Sequence, residues 1–265
     1  MYSFNYQKAK SVDDAAKVIS KNADAKVLAG GQSLVAAMKL RLAHPSDIVD
    51  LGAIKDLSGI KVDKSTVTIG AMTRHAEVAA SADVRKAIPA LAALAGGIGD
   101  RMVRNMGTIG GSLANNDPAA DYPAVVLGLA ATIVTNKRKI SADEFFKGLY
   151  ETALAQGEII TAVSFPVPKR AAYMKFKNPA SRYAIVGVFV AESGSGVRVA
   201  VTGAGPCVFR VPEMEKALAA KFAPESVANI KVPDKNLNSD LHAKADYRAH
   251  LITVMARRAV EVAMK

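Results

Sequence analysis

The sequence predicts an α+β protein, and three observations carry that prediction. Short helical and strand patterns are mixed with short connections rather than alternating regularly. No Gly-x-Gly-x-x-Gly follows a strand and no Walker A pattern occurs, so a doubly wound nucleotide fold is not indicated. A breaker-rich connector, Pro166-Val167-Pro168-Lys169-Arg170, divides the chain into a longer and a shorter part.

The elements run as follows. Asp13 to Ser20 reads as a helix, with Ser11 placed to cap it and Ala15, Ala16 and Ile19 on one face. Ala25 to Ala29 is a short strand running into Gly30-Gly31-Gln32-Ser33, a place where backbone can approach something closely. Leu34 to Leu42 resumes as helix, Asp47 to Leu51 is a strand, and Ile60–Val62 with Thr66–Ala71 alternates as a hairpin. Helices follow at Glu77–Ser81 and Pro89–Ala95, the latter ending at Gly96-Gly97.

A second glycine turn is expected at Gly107-Thr108-Ile109-Gly110-Gly111-Ser112. Behind it, a helix is expected to start at Asp117-Pro118 and run through Leu127, since Asp caps and Pro suits the first helical position. Ala131–Thr135 and Ile159–Phe165 read as strands. Ile185–Val190 and Val197–Val201 read as a pair across Ser193–Gly196, and helices at Pro212–Ala220 and Tyr247–Met264 close the chain.

Composition narrows the function classes. Of 265 residues half are hydrophobic and 22% are charged, which is enough apolar material for a core and excludes the disordered class. The longest apolar stretch, Ala124 to Val134, falls short of the ~20 residues needed to cross a bilayer, so no membrane span is expected. The N-terminus lacks the pattern of a secretory signal, and a cytoplasmic location is expected. The single cysteine, Cys207, excludes an internal disulfide and a cluster held by this chain's own cysteines. The net charge of +11 is spread along the sequence without aromatic interleaving, so it reads as a basic surface rather than a nucleic-acid site.

The two glycine segments share a grammar of small residues, Gly-Gly, then Ser. Backbone N–H groups released from a strand in such turns can form an anion-binding nest, and a following helix adds its positive dipole end. Either segment alone is compatible with an ordinary turn, but together they could grip a pyrophosphate. Acid–base chemistry has few candidates: His44, His75, His242 and His250 are scattered, as surface or packing histidines would be. Asp117 and Asp121 stand one helical turn apart, either as a carboxylate pair or as groups complementing a helix N-terminus. Loops for a cofactor without an acid, base or nucleophile fit a redox relay.

The segments Ala29–Leu34, Met38–Ala43 and Val103–Ser112 resemble the FAD-binding medium subunit of molybdenum hydroxylases, the group of carbon monoxide dehydrogenase, xanthine dehydrogenase and related aldehyde and aromatic hydroxylases. The resemblance runs nearly end to end. It implies a two-subdomain FAD-binding domain of the vanillyl-alcohol oxidase type over residues 1–170 (subdomains about 1–55 and 56–170), and a smaller α+β C-terminal flavoprotein domain over 171–265.

Carried over position by position, it implies that Ala29, Gly30, Gly31, Gln32, Ser33 and Leu34, with Thr108, Gly110, Gly111 and Ser112, meet the FAD pyrophosphate and ribityl chain. Asp121 matches the family acid that hydrogen-bonds the cofactor, Ile160 an apolar residue packed near it, Lys177 a lysine near it, and Tyr183 an aromatic beside the isoalloxazine. A solvated lysine and a packing tyrosine are equally available readings of the last two. Ser112 stands where the family often has Asn, Gln32 where His is frequent, and Arg182 where Asp is common.

The resemblance further implies a large partner subunit with a molybdenum–pterin cofactor, a small partner with 2Fe-2S clusters, a dimer of heterotrimers, and electrons leaving through FAD to an external acceptor. The alternative is a self-contained flavoenzyme of the vanillyl-alcohol oxidase type, which needs its own acid or base over the flavin. A basic nucleotide-binding protein is the non-enzymatic rival.

Overall fold

The computed structural model of the chain describes residues 1–265. It opens with β1 (Asn5–Lys8), α1 (Val12–Lys21), β2 (Lys26–Leu28), α2 (Leu34–Lys39) and β3 (Asp47–Asp50). The three strands form a parallel sheet in the order β1-β3-β2, with α1 packed on β2 and β3. Ser11 caps α1 as its residue type predicts, its hydroxyl accepting from the Asp14 N–H at 3.1 Å. A small core of its own, including Ala15, Ile19, Val49 and Leu51, lies beneath this layer.

The next stretch is built from β4 (Ile60–Val62), β5 (Thr66–Gly70), α3 (His75–Ala80), α4 (Ala82–Ala87), α5 (Pro89–Gly96), α6 (Arg101–Met106), α7 (Ile109–Asn115) and α8 (Tyr122–Gly128). It continues with β6 (Thr132–Thr135), β7 (Lys139–Ser141), α9 (Ala142–Phe145), β8 (Phe146–Gly148), β9 (Glu151–Thr152) and β10 (Ile160–Pro166). Five strands make an antiparallel sheet in the order β4-β5-β10-β6-β7, and β8 with β9 forms a separate hairpin. The helix α8 is buried on all sides, as an all-apolar helix must be. Its Gly128 permits close approach to β12 (Ala184–Ser193), because a β-carbon there would meet the Phe189 ring at 2.6 Å.

The chain ends with β11 (Arg170–Lys177), the already named β12, β13 (Gly196–Thr202), β14 (Phe209–Arg210), α10 (Pro212–Ala220), α11 (Glu225–Ala228) and α12 (Ala245–Ala263). The four strands form an antiparallel sheet in sequential order. Both faces of this sheet are covered: α10 and α12 pack on one, α5 and α8 on the other. Along β12 and β13 the side chains divide accordingly. Val186, Val188, Val190, Val199 and Val201 join the core under α12, whereas Phe189, Ala191 and Ala200 join the large core that contains α5 and α8.

Several elements differ from the sequence expectation. The second glycine turn is the first turn of a helix: Thr108 is its N-cap, its hydroxyl accepting from the Gly111 N–H at 3.1 Å, and Gly110 and Gly111 lie inside α7. The helix expected from Asp117 begins only at Tyr122. Asp117 Oδ1 instead accepts from the Ala119 N–H at 2.8 Å, and residues 118–120 are tied to the far sheet by Thr202 and Gly203. The strands β1, β7, β8, β9, β11 and β14 and the helices α4, α6, α9 and α11 have no counterpart in the sequence reading.

Candidate functional site

The strand β2 ends at Leu28, and the chain then turns through Ala29, Gly30, Gly31, Gln32 and Ser33 into α2. Gly31 has φ +71°, a conformation that glycine adopts without steric cost. None of the backbone N–H groups from Ala29 to Leu34 donates to another group of the chain. The Gln32 amide folds back to the Gly30 carbonyl at 3.2 Å, and the Ser33 hydroxyl makes no cap bond to α2. A run of free donors at a helix start asks for an anion, and a pyrophosphate fits that demand.

The second segment is built differently. His75 N–H donates to the Gly107 carbonyl at 2.9 Å, Ile109 N–H to Thr73 at 3.2 Å, and Gly110 N–H to Ala71 at 2.8 Å. Only Thr108 in this stretch keeps an N–H that donates to nothing in the chain. Gly110 is buried against β5: a β-carbon there would meet the Ala71 β-carbon at 2.6 Å. Gly111 and Ser112 stay partly exposed, and a β-carbon on Gly111 would lie 3.4 Å from the Ala29 β-carbon. The structure thus brings the two glycine segments into contact but gives them unequal roles. The first presents donors, and the second is a braced platform.

His75 lies under this platform. It is 5% exposed, its Nδ1 has no partner, and its ring is tilted against Tyr122 with centroids 5.2 Å apart. Burial, aided by the Arg104 charge, lowers its pKa to about 4, so the ring is neutral at physiological pH. The Tyr122 hydroxyl is also buried without a partner, and burial raises its pKa.

Asp121 sits at the start of α8 but makes no side-chain cap bond. Its carboxylate faces β11, where it accepts from the Tyr173 hydroxyl at 2.5 Å and from the Lys175 ammonium at 3.0 Å. Lys175, 9% exposed at its side chain, also donates to the Gly97 carbonyl at 2.9 Å, near the C-terminal end of α5. Burial pushes the Asp121 carboxyl up, while Lys175 and Tyr173 pull it down. Asp117 is not paired with Asp121. It neighbours Tyr150 and Tyr183, and burial followed by the Asp117 charge raises the Tyr183 hydroxyl.

The remaining sequence candidates fall in different surroundings. Tyr183 is 45% exposed and stands at a pocket of about 280 Å³ that Asp117, Asn178, Asp240 and His242 also line. Lys177 is exposed at the end of β11, without a hydrogen bond or ion pair. Ile160, 4% exposed, is part of the large core at the start of β10. Tyr173 and Lys175 are missed by the sequence reading. Their signal is period-two spacing along β11, which places residues 171, 173, 175 and 177 on one side of the strand.

Residues 2–168 match the family described as FAD binding domain in molybdopterin dehydrogenase. The chain belongs to this family. Like other members it is an FAD-binding oxidoreductase subunit. It is 37% identical to the nicotine 6-hydroxylase medium subunit of Paenarthrobacter nicotinovorans, over 97% of this chain and 96% of that one. It is 34% identical to the glyceraldehyde dehydrogenase medium chain of Sulfolobus acidocaldarius, over 97% and 96%. Among solved structures it resembles carbon monoxide dehydrogenase from Hydrogenophaga pseudoflava, with a TM-score of 0.90 and 35% identity, covering 99% of this chain and 98% of that one. No helix is long and apolar enough to cross a membrane.

Proposed function

We propose that this chain is the electron-relaying medium subunit of a heterotrimeric molybdenum hydroxylase. A large partner hydroxylates the substrate at a molybdenum–pterin cofactor, and a small partner passes the electrons through 2Fe-2S clusters to this subunit, which delivers them to an external acceptor. The observation that carries the reading is the near full-length similarity to medium subunits whose names carry unrelated substrates, nicotine in one and glyceraldehyde in another. A subunit that stays alike while the substrate changes belongs to a shared step rather than to substrate choice.

FAD supplies, when bound, the capacity to take and release electrons one or two at a time. The rest is the work of this chain. The free N–H groups of Ala29 to Leu34 would receive the pyrophosphate, with Thr108, Gly110, Gly111 and Ser112 forming the opposing wall. Asp121 would hold the cofactor from the start of α8, Ile160 would contribute apolar packing, and Lys177 and Tyr183 would serve the isoalloxazine. In this reading residues 1–170 form a vanillyl-alcohol-oxidase-type FAD domain of two subdomains, and residues 171–265 the C-terminal flavoprotein domain. The three-stranded and five-stranded sheets that precede the connector, with the β8–β9 hairpin, and the four-stranded sheet that follows it support that division.

The test is an absorption spectrum of the purified protein with whatever accompanies it, followed by mass identification of released cofactor and bound chains. Flavin bands with a large molybdenum-bearing partner and a small iron–sulfur partner are expected. FAD on a chain that turns over an organic substrate alone would replace this reading with a self-contained flavoenzyme.

A further inference from the structure

We propose that Lys175 is a positioning residue for the cofactor acid: from β11 it fixes and counterbalances the Asp121 carboxylate, so that retention of FAD depends on a cation outside both glycine segments. The proposal rests on the reading above that Asp121 takes part in holding FAD.

Geometry carries it. Asp121 is 4% exposed and its carboxylate meets two donors, both from one strand of the C-terminal sheet. Tyr173 reaches it because Gly187, the residue of β12 opposite Lys175, leaves room for the tyrosine ring: a β-carbon there would meet the Tyr173 Cζ at 2.8 Å. Lys175 is held from a second side by the Gly97 carbonyl, where the end of α5 carries the negative pole of that helix. One ammonium therefore bridges the end of α5, the start of α8 and β11.

A carboxylate in such burial stays ionised only with a counter-charge and donors, and without them it takes up a proton. The other titratable groups facing Asp121 are Tyr173, its neighbour Tyr122 and Tyr183, with His75 stacked behind Tyr122. Of these groups, Lys175 alone brings a positive charge into ion-pair range of the carboxylate. With that charge removed, Asp121 becomes a neutral acid at higher pH and presents a proton where it had presented lone pairs.

The experiment is FAD binding to the deflavinated full chain, followed by flavin fluorescence from about pH 6 to about pH 9. In Lys175→Gln and Lys175→Met the loss of affinity on acidification is expected to begin at least about one pH unit higher than in the wild type, falling by up to about tenfold per pH unit, as uptake of one proton requires. Lys175→Arg is expected to return the onset toward wild type. Asp121→Asn is expected to weaken FAD binding with this pH dependence removed. The Gln variant keeps a polar group near Gly97 and serves if the Met variant does not fold. An equal loss at every pH in the Gln variant would overturn the proposal and leave Lys175 as packing. Wild-type affinity in Asp121→Asn would instead remove the reading that Asp121 holds FAD, and the proposal with it.

Discussion

A β-carbon on Gly30 would fall on the carbonyl oxygen of Met106 and within 2.7 Å of the Gly107 α-carbon. The two glycine segments, more than seventy residues apart in sequence, touch through bare backbone at this point. Gly30→Ala is therefore expected to push the segments apart, costing about 1–3 kcal/mol of stability as overpacking does. It should also reduce the FAD retained on purification. Thermal melting and the flavin-to-protein absorbance ratio check this together, and an unchanged ratio with unchanged melting would refute it.

Gly110 is expected to act by another route. Its missing side chain lets α7 lie on β5 at Ala71, so Gly110→Ala should lower stability by about 1–3 kcal/mol whether or not FAD is present. Denaturant unfolding of the deflavinated protein measures it. A defect seen only in the FAD-loaded form would mean that Gly110 matters through the ligand wall rather than through its packing on β5.

His75 gives a pH signature. Its pKa is about 4 in the folded chain against 6.5 in an unfolded one, so the unfolded state binds the extra proton between these values. Stability from this residue is complete above about pH 6.5 and falls as the pH drops toward 4, by about 3 kcal/mol in all. His75→Asn is expected to flatten that part of the curve. Unfolding free energies measured at about pH 4.5, 5.5 and 7 test it, and a slope unchanged in the variant would assign the acid sensitivity elsewhere.

Lys177 is exposed, so Lys177→Met should alter stability by less than about 0.5 kcal/mol. If its charge reaches the flavin, as proposed, the reduced anion loses support and the two-electron potential falls, with about 30 mV corresponding to 1.4 kcal/mol. Redox titration of the loaded protein decides, and an unaltered potential would return Lys177 to the solvated surface.

What was legible in the sequence followed local rules. Ser11 caps its helix, the hairpin of β4 and β5 alternates, and β12 returns into β13 across Ser193–Gly196. What was not legible depended on distant partners. Two glycines argue against a helix at 109–115, yet Thr108 caps it and Ala71 receives it. Asp117 looks like a helix start, but Thr202 holds the following residues out of the helix until Tyr122. In β11 both faces are covered, so its apolar residues do not alternate cleanly with polar ones and the period-two spacing of Tyr173 and Lys175 is easily overlooked. Lys177 is indicated by the family resemblance alone, which says nothing of Lys175, the lysine that reaches Asp121.

That doubly covered strand also limits how the chain can vary in length. Tyr173 and Lys175 point toward α5 and α8, while Ala172, Met174 and Phe176 belong to the core under α12. One residue inserted between Ala171 and Phe176 would exchange the two sets beyond it, driving an ammonium into a hydrocarbon interior and a thioether or phenyl ring onto Asp121. Helices pack over both sides, so neither set of side chains could simply turn out into water. Insertions and deletions among descendants of this sequence should therefore collect in the connector before Arg170 or in the loop after Lys177, and leave the span between them at constant length.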